Sequence, residues 1–320
     1  MKNNKLIHIL QKSLRQNYII HSKIGEGGYG IVYKATQICT GHPVAIKTIK
    51  IIDDLDEHSR KQQIDRFERE VQICSEISHH NIVKVLDRGA TKENIPFAVF
   101  EYLSGETLKD YIIKENGLSV METVNLMGQV LEALIYIHAK GIIHRDLKPH
   151  NIEVVRKGSR SYIKVLDFGI GVSSNLIHED YCKDTTDCEQ IIGTPLYSAP
   201  EQLRGEPSTT KSDLYAWGLI FLECITGEPV MKGNNIADII KLQLNTDSIQ
   251  IPNIIVNHPL GVLLRIVLQK NATDRVCSAR QILNEFSEIN FRTIVDVINQ
   301  HQNITSLAEE SVTINLPITY

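Results

Sequence analysis

No two of the six cysteines (Cys39, Cys74, Cys182, Cys188, Cys224 and Cys277) stand in a C-x-x-C spacing. That excludes the usual zinc-site patterns, and in a chain of 320 residues it points to reduced thiols rather than a disulfide framework. Basic charge is not in excess. The 34 Lys and Arg against 38 Asp and Glu leave a formal net charge of −4, without a block of one sign, so no electrostatic footprint for a nucleic-acid partner exists. Long apolar runs are missing too. The stretch from Leu214 to Ile225 is interrupted by Trp217-Gly218 and Glu223, short of the roughly 20 residues that cross a bilayer. At the start, Lys2 and Lys5 precede only the short apolar segment Leu6 to Leu10, with no small-residue cleavage site. The expectation is a cytoplasmic chain with no membrane partner and no secretory leader.

What is present is a hydrophobic content of 42%, enough for two lobes or one large domain without staples. The densest chemistry lies in His144-Arg145-Asp146-Leu147-Lys148-Pro149-His150-Asn151. A carboxylate, an ammonium and an amide on one short loop are the groups needed to move a phosphoryl group from Mg·ATP to a hydroxyl. In that reaction the protein aligns acceptor, phosphate and metal and neutralises charge. Asp146 is suited to take the acceptor proton, Lys148 to hold the moving phosphate, and Asn151 to offer a metal an oxygen. A lone His-Arg-Asp would most often be a hydrogen-bonded loop cap; the full string argues otherwise.

Taken in order, the chain opens with Leu6, Ile9, Leu10 and Leu14 at helical spacing, which predicts a short amphipathic helix. A β pattern from Tyr18 to Ile24 then runs into Gly25-Glu26-Gly27-Gly28-Tyr29-Gly30, and a second β run passes through Val32 to Ala35. A dinucleotide fold places a helix after such glycines, whereas a hairpin lid over ATP phosphates needs a second strand. The second strand is there, and glycines let backbone amides approach phosphate. Val44-Ala45-Ile46-Lys47 follows. A lysine ending an apolar strand is usually a solvated edge residue, but one pointing into a cleft would bind the α- and β-phosphates if a carboxylate held it. The candidate is Glu70, in a segment from about Ser59 to Ile77 whose apolar positions Ile64, Phe67, Val71, Cys74 and Ile77 recur at helical spacing. Glu68 is the alternative, on a different face. Strands are expected at Ile82 to Leu86 and Phe97 to Phe100, a helix beginning at Gly105-Glu106-Thr107-Leu108, and a long helix from Val120 to His138 ended by Gly141. After the loop come Ile152 to Val155, Tyr162 to Leu166, and Asp167-Phe168-Gly169, where an Asp beside Asn151 makes a second oxygen donor for Mg²⁺.

Together these motifs, with His79-His80-Asn81-Ile82-Val83, Gly193-Thr194-Pro195-Leu196-Tyr197, Ala199-Pro200-Glu201 and Lys211-Ser212-Asp213, resemble a protein kinase from about Tyr18 to Phe286. Phe67-Glu68-Arg69-Glu70 and Ser198-Ala199-Pro200-Glu201-Gln202 most resemble the bacterial eukaryotic-like, or Hanks-type, serine/threonine kinases. The resemblance implies an α+β bilobal fold, with a small antiparallel β lobe carrying one helix (18–102) and a larger, mainly helical lobe (103–286). A helical extension at 1–17 and an extension at 287–320 flank it. It implies ATP with Mg²⁺, or Mn²⁺, and protein substrates with Ser or Thr acceptors, which Thr194 and Lys148 favour over Tyr. Nucleotide-binding positions would be Ile24, Gly25, Gly27, Gly28, Gly30, Val32, Ala45, Lys47, Glu70, Glu153 and the hinge residues Glu101 and Leu103, with Phe100 guarding the pocket behind. Asn151 and Asp167 would hold the metal, Asp213 would brace the catalytic loop, and Arg275 would pair with Glu201. Arg145 beside the base implies control by phosphorylation between Asp167 and Glu201. Thr185 and Thr186 are the expected self-acceptors, with Ser173 and Ser174 behind them. A binding-only pseudokinase and a kinase for small-molecule hydroxyls are the rival readings.

Two residues depart from the family pattern. His150 stands where many relatives carry Glu, so a preference for basic residues before the target should be weak on a peptide array. Glu153 stands where the adenine floor is normally aliphatic, and a carboxylate there costs free energy unless paired or turned outward. Titration of ATP and GTP is expected to show weaker or altered binding in the wild type relative to Glu153→Leu; identical affinities would contradict this.

Overall fold

The computed structural model describes residues 2–27, 30–50, 56–158, 160–167, 195–275 and 278–294. Helix α1 (Lys2–Leu14) comes first, and its Leu6, Leu10 and Leu14 are buried. Strands β1 (Tyr18–Gly27), β2 (Gly30–Gln37), β3 (Pro43–Thr48), β4 (Val85–Ala90) and β5 (Pro96–Glu101) form an antiparallel sheet in the order β1-β2-β3-β5-β4. Because strand side chains alternate, register divides this sheet into two faces. Val32 pairs with Lys47, Lys47 with Ala98, and Ala45 with Phe100, which places these residues on one face. The opposite face, with Tyr33, Val44, Ile46 and Val99, shares a buried cluster with the three leucines of α1.

Helix α2 (Glu57–Ser75) starts where Asp56 Oδ1 accepts the Ser59 amide at 2.8 Å, two residues earlier than the apolar spacing suggested. Phe67 and Val71 join the small-lobe cluster, whereas Cys74 packs into the core of the large lobe. The strand expected at Ile82 to Leu86 begins later. Ile82 forms only an isolated bridge to Val165, and the ladder of β4 starts at Val85.

The segment expected to open a helix at Gly105 first forms a two-residue strand, β6 (Glu106–Thr107). Thr107 then caps α3 (Leu108–Glu115), its hydroxyl accepting the Asp110 amide at 3.1 Å. The short strand exists because it pairs with β7 (Ile152–Lys157), which pairs in turn with β8 (Arg160–Val165), and such tertiary pairing leaves little local signal. Helix α4 (Val120–Ala139) is followed by Gly141 at φ 74°, the left-handed position after a helix end. In length and composition α4 could cross a membrane, yet nine of its residues are buried and several of them face the large-lobe core.

The large lobe continues with α5 (Pro200–Leu203), α6 (Thr210–Thr226), α7 (Ile236–Leu244), α8 (Pro259–Val267) and α9 (Ala279–Glu288). Every residue of α6 from Ser212 to Cys224 is buried, so this helix is the axis of the lobe. Trp217 donates its indole N–H to the Met127 carbonyl at 2.9 Å, and its ring packs tilted against Phe221 and edge-to-face against Phe286. Phe291 and Ile294, beyond residue 286, belong to the same core.

The fully buried Leu10 makes α1 a structural part of the small lobe. Leu10→Ala is expected to lose ~2–5 kcal/mol in denaturant unfolding, while Gln11→Ala, on the exposed side, should change stability by less than ~0.5 kcal/mol. Equal effects would mean that α1 is only loosely attached.

Candidate active site

The cleft face of the small-lobe sheet carries Lys47, which is 5% exposed. A buried ammonium needs compensating charge, and two carboxylates supply it. Lys47 Nζ lies 3.0 Å from Glu70 Oε1 on α2 and 2.6 Å from Asp167 Oδ1 after β8. Burial opposes the charge on Lys47, but Asp167 and Glu70 outweigh it and hold its pKa above the ordinary value. Burial would raise Asp167, yet Lys47, aided by Lys148 and His144, holds it below the usual carboxylate range. Glu70 goes the other way: burial and the Asp167 charge lift it against the pull of Lys47. Glu68 is exposed, so of the two glutamates it is Glu70 that meets the lysine.

The large-lobe side of the cleft is the loop between α4 and β7. Lys148 Nζ lies 2.9 Å from Asp146 Oδ2. The turn Pro149–Asn151 brings the Asn151 side chain back, so that its Nδ2 donates to the Asp146 carbonyl at 2.9 Å and to Asp146 Oδ2 at 3.1 Å. With its nitrogen so occupied, the Asn151 side-chain oxygen is left to face elsewhere. Asp213 of α6 anchors the loop from below. Its Oδ2 accepts the His144 amide and its Oδ1 the Arg145 amide, both at 2.9 Å, and Oδ2 lies 2.8 Å from His138 Nε2. Asp167 is tied to the same loop: the Leu166 amide donates to the Asn151 carbonyl at 2.8 Å, and His144 Nε2 is 3.0 Å from the Leu166 carbonyl. Asn151 and Asp167 thus stand on adjacent strands of backbone as two hard oxygen donors, the number a magnesium ion takes from protein when phosphate and water complete its shell. The residues present fit that ion.

In the glycine turn, Gly25 pairs with Val32 and Gly27 with Gly30. Gly30 has φ 153°, and a Cβ there would sit 2.2 Å from the Thr48 carbonyl oxygen, so only glycine fits. Glu26 is held by Lys23 at 2.7 Å and Lys50 at 2.8 Å, whose hydrogen bonds pull its pKa down to about 2. Ile24 is exposed at the edge of this turn, and Val32 and Ala45 are half-buried on the cleft face. Gly28, Phe168, Gly169, Thr194 and the expected phosphorylation sites Ser173, Ser174, Thr185 and Thr186 lie outside the described residues.

At the hinge the Glu101 carboxylate accepts the Lys84 amide at 2.9 Å and pairs with Lys164 of β8 at 2.6 Å; Leu103 is half-buried. The Glu101–Lys164 link between lobes has no signal in the sequence, because a lysine in a β run reads as a solvated edge. Glu153 lies half-buried opposite Thr107, while its neighbours Ile152 and Val154 turn into the large-lobe core. Burial, then the Asp110 charge, raise its pKa, with the Gly105 amide pulling the other way. His150 lies at the surface, where partial burial of its ring and the charges of Lys148 and Lys109 lower its pKa. Farther down, Glu201 is gripped by Arg275 at 2.5 and 2.8 Å and by the Ser212 hydroxyl at 2.7 Å.

Residues 18–286 match the family model described as protein kinase domain. The chain is 35% identical over 225 residues to the probable serine/threonine-protein kinase PknB of Corynebacterium glutamicum, a match covering 69% of this chain and 33% of that protein. It is 36% identical over 242 residues to the serine/threonine-protein kinase PrkC of Bacillus subtilis, covering 75% and 35%. It is 32% identical over 283 residues to the serine/threonine-protein kinase pkn3 of Myxococcus xanthus, covering 87% and 51%. The matched regions are a third to a half of the length of these relatives.

The Glu201–Arg275 pair carries a pH-dependent prediction. Burial would raise Glu201, but Arg275 and Ser212 hold its pKa below the ordinary 4.5. A depressed folded pKa means that the stabilisation is fully present above about 4.5 and is lost as pH falls through the folded value. Arg275→Met is expected to lose ~3–5 kcal/mol at neutral pH by stranding a buried carboxylate. The gap to wild type should narrow in acid melts below pH ~4; a gap independent of pH would contradict the assignment.

Proposed function

The chain belongs to the protein kinase family, and from that premise we propose that it transfers the γ-phosphoryl group of ATP to serine or threonine hydroxyls of proteins. One observation carries the reading: Asp146, Lys148 and Asn151 share a hydrogen-bonded loop that is joined through Leu166 to the Lys47–Asp167 pair. That linkage brings the Asp146 carboxylate, the Lys47 and Lys148 ammonium groups and the oxygens of Asn151 and Asp167 close together, which supports the reading.

Each group has a role that follows from its chemistry. Asp146 takes the proton of the acceptor hydroxyl. Lys148, beside it, offsets charge on the transferred group, and Lys47, steadied by Glu70, holds the α- and β-phosphates. Asn151 and Asp167 would hold Mg²⁺ or Mn²⁺, which would neutralise charge on the phosphates. The backbone of Gly25, Gly27, Gly28 and Gly30 covers the phosphates, and Ile24, Val32, Ala45, Glu101, Leu103 and Glu153 surround the base. Thr194 with Lys148 favours aliphatic hydroxyls. Thr185 and Thr186 are proposed as sites of self-phosphorylation. The free thiols of Cys39 and Cys224, together with the need for ATP, support a cytoplasmic location. A binding-only scaffold is the second reading, favoured by the half-buried carboxylate of Glu153.

Incubation with labelled Mg·ATP and a generic protein substrate decides. Wild type is expected to label serine and threonine, and Asp146→Asn to be slower by ~10²- to 10⁴-fold. Mass spectrometry of the kinase from the same reaction should find phosphate between Asp167 and Gly193. An inactive wild type that still binds ATP would overturn transfer in favour of the scaffold.

A further inference from the structure

Gln202 connects two segments that the catalytic reading treats separately. It is the third residue of α5, and its Oε1 accepts the Ala199 amide at 2.9 Å, closing the start of that helix. Its Nε2 donates to the Arg145 carbonyl at 2.8 Å. The two contacts fix the orientation of the amide group. Turned over, it would set N–H against N–H and oxygen against oxygen. The platform beneath is rigid, since the preceding Glu201 is gripped by Arg275 and Ser212.

The Arg145 carbonyl belongs to the peptide group that leads into Asp146. Arg145 is non-glycine at φ 69°, a left-handed conformation that persists only where surrounding contacts impose it. On the N-terminal side Asp213 holds the amides of His144 and Arg145. On the C-terminal side the Arg145 carbonyl meets Gln202, while the Asp146 amide is 3.3 Å from His144 Nδ1. Relaxation of Arg145 to negative φ would rotate this peptide plane, and with it the bond from which the Asp146 side chain departs.

We propose that Gln202 is a positioning residue for phosphoryl transfer: its side-chain amide locks the Arg145–Asp146 peptide plane and so aims the Asp146 carboxylate. The proposal rests on the kinase reading above. It makes the docking segment after residue 195 and the base a single mechanical unit.

The test uses the full chain with Gln202→Glu and Gln202→Met. Gln202→Glu keeps an acceptor for Ala199 but puts a carboxylate against the Arg145 carbonyl. Turnover at saturating Mg·ATP is expected to fall roughly 2- to 13-fold, the range that loss of one neutral hydrogen bond converts to. KM for ATP should be unchanged, and Tm should fall by no more than a few degrees. Because a protonated carboxyl can donate where a carboxylate does not, the ratio of Gln202→Glu to wild-type turnover should rise as pH falls from about 8 to about 5.5, near the ordinary Glu range. Amide hydrogen exchange provides a readout without catalysis. Exchange at Asp146 should quicken in both variants, while the His144 and Arg145 amides held by Asp213 keep their rates. Unchanged turnover, or a loss with no pH dependence and unaltered exchange at Asp146, would overturn the proposal. If wild type transfers no phosphate, the kinase reading fails, and exchange at Asp146 alone decides whether the clamp exists.

Discussion

The cleft depends on keeping one cation charged where water is scarce. Lys47 is buried, and its ammonium survives because carboxylates from two other parts of the chain reach it. Stranding such a charge by removing a partner typically costs ~3–5 kcal/mol, so the three groups constrain the elements that carry them. Strand β3 must present Lys47 toward the cleft, α2 must turn Glu70 inward, and β8 must end with Asp167 in reach. A slip of one residue in β3 would put Lys47 on the face covered by α1.

The second fixed point is Asp213, which lies on the buried helix α6 and accepts the consecutive amides of His144 and Arg145 in the loop before β7. Asp213 is 1% exposed, so the carboxylate is retained for its hydrogen bonds rather than for solubility. The two fixed points communicate through short backbone links: Leu166 bonds to Asn151 and to His144, so Asp167 moves with the loop that holds Asp146. The glutamate of the hinge, through Lys164, ties the same strand β8 to the small lobe. Lys47, Asp167, Asn151 and Asp146 therefore sit in one connected framework although Lys47 and Asp167 lie 120 residues apart in sequence.

Much of this was legible in the residues themselves. Glu70 could be separated from Glu68 by helical face and by its distance from His79-His80-Asn81-Ile82-Val83, and the pair of strands around Gly25 to Gly30 set the glycine turn apart from a dinucleotide fold. What the residues do not signal depends on long-range pairing. The strand at Glu106–Thr107 exists only because β7 lies beside it, and Thr107 as a cap overrides the apparent helix start at Gly105. The role of α1 was visible as periodicity, but not the sheet face it covers. Gln202 and Lys164 carry no local signal at all, since an amide or a lysine becomes structural only through the partner it finds.

The central claim is that Lys47 and Glu70 act as one device for holding phosphates for transfer, not as separate contributors. A double-mutant cycle on single-turnover phosphotransfer, with Lys47→Met, Glu70→Gln and the combination at saturating Mg·ATP, measures this most directly. The account predicts that Glu70→Gln slows the wild-type background strongly but changes Lys47→Met little, because the glutamate acts through the lysine. Additive losses in the two backgrounds would contradict it.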